Sequence, residues 1–377
     1  MRIGIVCYPT FGGSGVVATE LGIALAAKGH QVHFISYSQP FRLDTFSGNL
    51  FYHEVPVANY PLFEFLPYEI SLTSKLVDVV MHQDLDLLHV HYAIPHASAA
   101  FLAREILKSR GKNIPFITTL HGTDITLVGR DPSYRPVIEF AINMSDGVTA
   151  VSDSLRKDTL EYFSVNREIE VIPNFIDLDN YGKVYDHCYR STYAPNGEMI
   201  LTHISNFRPV KRIADVVKVF EKVHREIPSK LLLAGDGPER SNVENLAREL
   251  GVIQDVIFLG KTKAIERILC MSDLFLLTSE SESFGLSSLE AMASGVPVIS
   301  TNTGGIPEVN QQGYSGFLSN VGDVDDMAFN AIKLLKDPAM LKQFGAQAKQ
   351  RAAMFSEQAI LPMYEEMYSR LTGLPLN

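Results

Sequence analysis

Cysteine is scarce in this sequence. Only Cys7, Cys188 and Cys270 occur among 377 residues, and no two of them form a CxxC pair. Such spacing supports neither a disulfide framework nor a zinc site, and it favours a cytoplasmic protein. Long apolar runs are also missing, so we expect no membrane span and no stable membrane association. The apolar N-terminus runs directly into a glycine loop, which favours a first strand over a secretory signal peptide.

Basic residues are also fewer than acidic ones. The chain has 33 Lys and Arg against 43 Asp and Glu, a formal net charge of −10. Nucleic-acid-binding proteins usually carry a net positive charge, so we expect no nucleic-acid partner. Any phosphate-binding site must therefore be built locally.

What the sequence does contain is an alternation of short β-branched runs with helix-period segments, and it occurs twice. The first half predicts strands over 2–8, 31–37, 50–55, 85–91, 115–120 and 146–151. The second half predicts strands over 198–204, 230–235, 255–259, 273–278 and 296–300. This order predicts an α/β protein with two doubly wound, Rossmann-like domains, 1–170 and 171–355, and a C-terminal amphipathic helix within 356–377.

A glycine-rich loop, 12–15, follows the first predicted strand. Glycines at a strand-to-helix turn let backbone N–H groups approach an anion, which makes Gly13, Ser14 and Gly15 candidate phosphate ligands. Gly13, Gly15 and Ala18 also fit the dinucleotide fingerprint G-x-G-x-x-A of NAD-dependent enzymes. The second predicted strand lacks an acidic residue at its end for a ribose hydroxyl, which argues against NAD. A tight turn that binds nothing explains the glycines equally well.

A second candidate loop, 205–212, follows the strand that opens the second domain. It contains Asn206, Arg208 and Lys211, and a helix is predicted directly after it. Cations at the carboxyl end of a parallel strand can clamp a diphosphate. Ligands of open α/β sheets bind at such strand ends, which favours this function over an ordinary solvated loop.

Two glutamates flank the start of a predicted helix in the second domain. Glu282 lies in the loop before the helix, and Glu290 lies inside it, eight positions later. The first carboxylate suits sugar hydroxyls and the second suits a ribose diol. The N–H groups of Phe284, Gly285 and Leu286 are available for phosphate or sugar oxygens. Helix capping by acidic side chains explains Glu282 without a ligand, but it does not explain Glu290.

Together these motifs resemble the retaining glycosyltransferases of family 4. The resemblance rests on the E-x7-E pair, the EAMASGVPV run, Gly304-Gly305 and His121-Gly122. It implies the GT-B fold, with two Rossmann-like domains facing each other across a cleft and a C-terminal helix that crosses back to the first domain. One departure is the pair Ser205-Asn206, which replaces the Gly-Arg pair usual in the family. Lys211 matches the family better than Arg208.

Several segments are similar to the family members that join N-acetylglucosamine to L-malate in the first step of bacillithiol synthesis. They are 8–15, 89–96, 120–124 and 205–212. They imply UDP-N-acetylglucosamine and L-malate as substrates. The candidate catalytic residues are Lys211, Arg208, His121 and Glu282. For His121 two interpretations stay open, a structural histidine after an apolar strand and a contact with the sugar at the strand's carboxyl end. The residues alone predict only a nucleotide-sugar site with a small anion pocket.

The acceptor residues are expected at strand ends of the first domain. Tyr92 and Thr123 follow the strands 85–91 and 115–120, and Arg135 begins the next helix, where the helix dipole favours an anion. The planar fork of arginine suits a carboxylate better than lysine does. The alternative for Arg135 is an exposed residue that binds nothing.

The expected reaction uses no metal and no other cofactor. No carboxylate stands out as a nucleophile, so we expect the leaving phosphate to take the proton from the acceptor hydroxyl. Asp84 and Asp86 have the spacing of a metal-binding pair but precede their strand. His89 and His91 alternate on that strand and are interpreted as buried residues rather than metal ligands.

Three alternatives stay open beside this function. A lipid acceptor would need a basic surface, for which the candidates are Arg104, Lys108, Arg110 and Lys112. A nucleotide-sugar epimerase would act without an acceptor. A non-enzymatic sensor would bind a UDP-sugar and never release UDP. Homo-oligomer formation also stays open.

Overall fold

The computed structural model describes residues 1–10, 12–40, 43, 48–56, 68–181 and 189–375. Cys188 lies outside these residues. The chain divides into two compact units, Met1–Phe175 with Glu357–Asn377, and Ile176–Ser356. The sequence placed the two boundaries after residues 170 and 355.

The described residues of the first unit form seven parallel strands, with helices between most of them. The strands are β1 (Arg2–Val6), β2 (Gln31–Ser36), β3 (Leu50–Glu54), β4 (Leu87–His91), β5 (Phe116–Leu120), β6 (Gly147–Ala150) and β7 (Ile169–Val171). The helices are α1 (Ser14–Ala27), α2 (Tyr68–Gln83), α3 (Ser98–Ser109), α4 (Arg135–Met144) and α5 (Asp153–Tyr162). The strand order is β3-β2-β1-β4-β5-β6-β7, as in a doubly wound sheet.

The second unit repeats this architecture, with six parallel strands among its described residues. The strands are β8 (Met199–Ile204), β9 (Ser229–Ala234), β10 (Val256–Gly260), β11 (Leu274–Leu277), β12 (Val298–Thr301) and β13 (Gly316–Ser319). The helices are α6 (Arg190–Tyr193), α7 (Ile213–His224), α8 (Arg240–Glu249), α9 (Ile265–Leu269), α10 (Leu286–Ala293), α11 (Ile306–Val309), α12 (Val324–Lys336) and α13 (Pro338–Ala353). The sheet order is β10-β9-β8-β11-β12-β13. Two Rossmann-like domains, the fold class expected from the sequence, are confirmed.

The last helix, α14 (Glu357–Thr372), packs on the first unit. Its Tyr364 and Tyr368 are buried in the same core cluster as Ile3 and Ile5 of β1 and Leu21 of α1. Each fully buried side chain of this size contributes about 1.5–3 kcal/mol. The C-terminal helix is therefore a part of the first unit's core.

The last strand of each sheet, β7 and β13, was not predicted from the sequence. β7 has only three residues, and β13 begins with a glycine, which in a sequence indicates a turn. A Cβ on Gly316 would lie 1.8 Å from the Val298 carbonyl oxygen, so β13 approaches β12 too closely for any other residue.

Candidate active site

The glycine loop of the first unit leads directly into α1. Among the described residues, no side chain caps this end of the helix. A Cβ on Gly15 would lie 2.6 Å from the Tyr8 carbonyl oxygen, so a larger residue does not fit there. Because no described side chain caps the helix, the first N–H groups of α1 are available to bind an anion. This geometry supports the predicted role of Gly13, Ser14 and Gly15 as phosphate ligands.

Three predicted residues of the first unit meet at the carboxyl ends of β4 and β5. Tyr92 follows β4, and its hydroxyl shares a hydrogen bond with the hydroxyl of Ser14. His121 follows β5, and its ring centre lies 5.3 Å from that of Tyr92. Thr123 is exposed, and its side chain also hydrogen-bonds Tyr92. Burial raises the pKa of Tyr92 to about 12, so its hydroxyl stays protonated at neutral pH.

His121 belongs to a cluster of neutral histidines. Its Nε2 lies 2.7 Å from Nδ1 of His91, which is buried in β4. His89 is also buried and hydrogen-bonds Tyr368 of α14 at 2.7 Å and Thr119 at 2.6 Å. Burial lowers the pKa of His89 and of His121 to about 3, so both rings are uncharged at neutral pH. Within the described part of the chain, no three His, Cys, Asp or Glu side chains are grouped as metal ligands.

Asp124 is a functional candidate that was not predicted from the sequence. Its buried carboxylate accepts a hydrogen bond from the Ala93 N–H at 2.8 Å. This bond joins the loop after β4 to the loop after β5, and so it fixes Tyr92 relative to His121. Burial raises the pKa of Asp124 to about 6. Its position close to His121, in the loop after a strand, is the sequence feature that could have indicated this role.

Arg135 begins α4 and lies on the surface of the first unit. Its side chain is 53% exposed, and its Nε donates to Glu139 at 2.9 Å. Its two terminal nitrogens make no hydrogen bond to any described residue, so a planar fork remains for a carboxylate. No hydrogen bond among the described residues joins Arg135 to Tyr92 or Thr123.

The basic surface considered for a lipid acceptor does not form as expected. Arg104 is buried and donates to Asp146 at 2.8 Å, so this residue is not on the surface. Lys108 and Lys112 are paired with acidic side chains. Within the described ranges, every helix is too short or too polar to cross a membrane.

In the second unit, the basic loop is joined to the acidic loop. Lys211 Nζ donates to Glu282 Oε2, and the two side chains are only 19% and 18% exposed. The backbones are joined too, because the Glu280 N–H donates to the Val210 carbonyl at 2.8 Å. The Thr278 hydroxyl donates to the Lys211 carbonyl at 3.0 Å. Two of the four residues with predicted catalytic roles are therefore in contact.

Arg208 and Asn206 lie outside this contact. Both are exposed, and neither side chain hydrogen-bonds another described residue. Phe207 between them is fully buried, and its N–H donates to the Asp236 carbonyl at 3.0 Å. A buried aromatic ring thus anchors the loop and leaves its polar neighbours at the surface.

Two glycines fix the backbone at Glu282. The Gly305 N–H donates to the Glu282 carbonyl at 2.9 Å. Gly304 has φ +56°, and a Cβ on it would lie 2.1 Å from the same carbonyl oxygen. The Gly304-Gly305 motif therefore holds the acidic loop in place.

The start of α10 lies just after this loop. Gly285 precedes the helix, and no side chain in the described ranges caps it, so the N–H groups around Leu286 are available to a ligand. The Phe284 ring is buried and lies 5.6 Å from the Phe355 ring. Only the backbone of Phe284 is therefore free to bind a ligand.

Glu290 is buried within α10. Its carboxylate accepts a hydrogen bond from the Tyr181 hydroxyl at 3.1 Å. The Glu290 carboxylate, which the sequence predicts to bind a ribose hydroxyl, thus accepts a hydrogen bond from a protein hydroxyl. The chain offered no signal for this pairing, because Tyr181 precedes Glu290 by 109 positions.

Two family models match the chain. The model described as Glycosyltransferase Family 4 matches residues 11–180, and the model described as Glycosyl transferases group 1 matches residues 190–351. The chain is 48% identical to the N-acetyl-alpha-D-glucosaminyl L-malate synthase of Bacillus anthracis, over 98% of this chain and 96% of that protein. It is 27% identical to the D-inositol 3-phosphate glycosyltransferase of Corynebacterium jeikeium, over 76% of this chain and 72% of that protein.

Solved structures resemble the chain over nearly its whole length. Sucrose-phosphate synthase from Thermosynechococcus elongatus matches with a TM-score of 0.82 and 21% identity over 99% of both chains. Anabaena HepE in complex with UDP-glucose matches with a TM-score of 0.83 and 20% identity, over 98% of this chain and 100% of that one.

Proposed function

The chain belongs to the family 4 glycosyltransferases of GT-B fold, and from this premise we propose that it transfers N-acetylglucosamine from UDP-N-acetylglucosamine to the hydroxyl of L-malate. The observation that carries the proposal is the 48% identity, over almost the entire chain, to a synthase of N-acetylglucosaminyl L-malate. The reaction is the first step of bacillithiol synthesis. The cytoplasmic location expected from the cysteine pattern stays a prediction, as does a homo-oligomer.

We assign donor binding mainly to the second unit. Lys211, with Arg208 and Asn206 on the same loop, binds the diphosphate, and the N–H groups at the start of α10 add to it. Glu290 binds the ribose, and Glu282 binds hydroxyls of the sugar. What supports these roles is the contact of Lys211 with Glu282 and the uncapped helix start.

The first unit is assigned to the acceptor and to a phosphate. The N–H groups of Gly13, Ser14 and Gly15 bind phosphate oxygens. The malate carboxylates are bound by Tyr92, Thr123 and Arg135. The hydrogen bonds that join Ser14, Tyr92 and Thr123 support a single polar site in this unit.

The chemistry is a substitution with retention at C1 of the sugar. The bond between C1 and the β-phosphate oxygen breaks, and a bond between C1 and the malate hydroxyl oxygen forms on the same face. The leaving phosphate accepts the hydroxyl proton, so the protein supplies no base. Lys211 stabilises the negative charge that grows on the diphosphate.

The test is UDP release from UDP-N-acetylglucosamine with L-malate, D-malate, glycerol or no acceptor. We expect release that depends on L-malate and a product with the mass of N-acetylglucosaminyl malate. Release without an acceptor would indicate a hydrolase or an epimerase that also hydrolyses its donor, and a change of the sugar without release would indicate an epimerase that keeps the sugar on UDP. Tight binding of the UDP-sugar with no release would indicate a sensor. Release only with another acceptor would keep the family and overturn malate.

A further inference from the structure

The contact between His91 and His121 contains one proton whose position can be assigned. Nδ1 of His91 lies 2.7 Å from Nε2 of His121. The other nitrogen of His91, Nε2, is buried and has no hydrogen-bond partner among the described residues. His121 is partly exposed, and its Nδ1 makes no hydrogen bond to any described residue. Burial keeps both rings neutral, because it lowers the pKa of each.

Two neutral rings allow two arrangements. If His121 donates, the single proton of His91 is on Nε2, which places an N–H group in a buried position without an acceptor. If His91 donates, its Nε2 carries only an unpaired lone pair. Buried N–H groups without a partner are rarer than unpaired acceptors, so the second arrangement is favoured. A flipped His91 ring would move Nδ1 away from His121 and break the bond altogether.

The position of the His91 ring is itself fixed. It stacks on His89 with ring centres 4.6 Å apart and on His121 with ring centres 5.0 Å apart. His89 in turn is held by Tyr368 and Thr119. These buried contacts therefore fix the orientation of the His91 ring relative to His121.

We propose that His91 is a positioning residue that holds His121 in the tautomer with its proton on Nδ1, so that His121 presents a neutral N–H donor to a substrate oxygen. In this tautomer neither nitrogen of His121 can take a proton, because Nδ1 already carries one and Nε2 accepts from His91. His121 therefore binds an oxygen and does not act as a general base. The role of His121 toward a substrate rests on the proposed function, whereas the tautomer does not.

The tautomer is tested directly by NMR of protein labelled with 15N-histidine. The His121 signals are identified by their loss in His121→Gln. We expect His121 to show a protonated Nδ1 and an unprotonated Nε2 at neutral pH. A protonated Nε2 would overturn the proposal. This readout needs no activity, so a failure of the proposed function leaves it intact.

Two substitutions of His91 separate positioning from packing. His91→Asn keeps a donor near the Nδ1 position but loses the ring, whereas His91→Phe keeps the stacked ring but loses the donor. We expect His91→Phe to lower kcat/KM for malate about tenfold, because the hydrogen bond that fixes the His121 tautomer is lost. His91→Asn should recover most of the activity even if it melts earlier. Higher activity in His91→Phe than in His91→Asn would show that His91 acts by packing.

Discussion

Lys211 and Glu282 neutralise each other in the second unit, and each has less than one-fifth of its side chain exposed. A diphosphate that approaches Lys211 gains a charge-assisted contact in a partly dehydrated place, where such contacts are strong. We predict that Lys211→Ala lowers kcat/KM by about 10²-fold or more, the loss expected when one preorganised donor to a developing charge is removed. The measurement is steady-state UDP release at saturating malate.

Lys218→Ala is the matched control for this prediction. Lys218 belongs to the same unit and pairs with Asp215 at 3.4 Å, but 47% of its side chain is exposed. An exposed ion pair contributes about 0–1 kcal/mol, so this variant should retain wild-type turnover. Near wild-type turnover in Lys211→Ala would remove the diphosphate role from this residue.

Arg135 is the predicted anchor for a malate carboxylate, and its terminal nitrogens are free of described partners. We predict that Arg135→Ala raises KM for malate at least tenfold, about 1.4 kcal/mol, and leaves KM for UDP-N-acetylglucosamine unchanged. Arg110→Ala, an exposed arginine at the end of α3, is the control. Equal effects on both substrates would indicate general damage, and an unchanged KM for malate would assign the anion to another residue.

At the scale of elements, the loop that carries Glu282 depends on its glycine neighbours. Gly304 and Gly313 both have positive φ, +56° and +71°, so alanine is strained at either position. Only at Gly304 does a Cβ meet the Glu282 carbonyl oxygen, whereas at Gly313 nothing lies within 4 Å. We predict that Gly313→Ala loses about 1–2 kcal/mol of stability from the left-handed backbone alone, that Gly304→Ala loses more because of the added clash, and that only Gly304→Ala also loses kcat. Thermal melting and UDP release measure the two effects separately. Equal turnover in the two variants would show that the Glu282 loop tolerates the displacement.

The same elements show what a sequence can predict. Strand ends were predictable, because β-branched runs stop where glycine or polar loops begin, and this placed Tyr92, His121, Asn206 and Lys211 correctly at carboxyl ends. The pairing of Lys211 with Glu282 was not predictable, since no spacing rule joins residues 71 positions apart. Burial of Arg104 was missed for a related reason, because its partner Asp146 belongs to the turn before another strand.

At the scale of the whole molecule, the chain is acidic, and the groups assigned to bind anions are confined to a few loops and helix starts. The net charge is −10, and the second-unit groups assigned to the diphosphate are Lys211, Arg208, Asn206 and the start of α10. Cations and helix N-termini can together compensate a diphosphate without a divalent ion. We therefore predict that the reaction needs no metal.

Chelation tests that expectation on the intact protein. Asp84 and Asp86, whose spacing suggests a metal pair, precede β4 and already have protein partners, Lys112 at 3.0 Å and the Arg2 N–H at 2.6 Å. Carboxylates engaged in this way are poor ligands for Mg²⁺, which needs near-octahedral oxygen coordination. We predict that dialysis against EDTA leaves kcat and both KM values unchanged, and that added Mg²⁺ or Mn²⁺ has no effect. A parallel sample dialysed without EDTA controls for losses during handling. If chelation abolishes UDP release and either ion restores it, Lys211 and Arg208 are insufficient for the diphosphate and a metal ion also binds it.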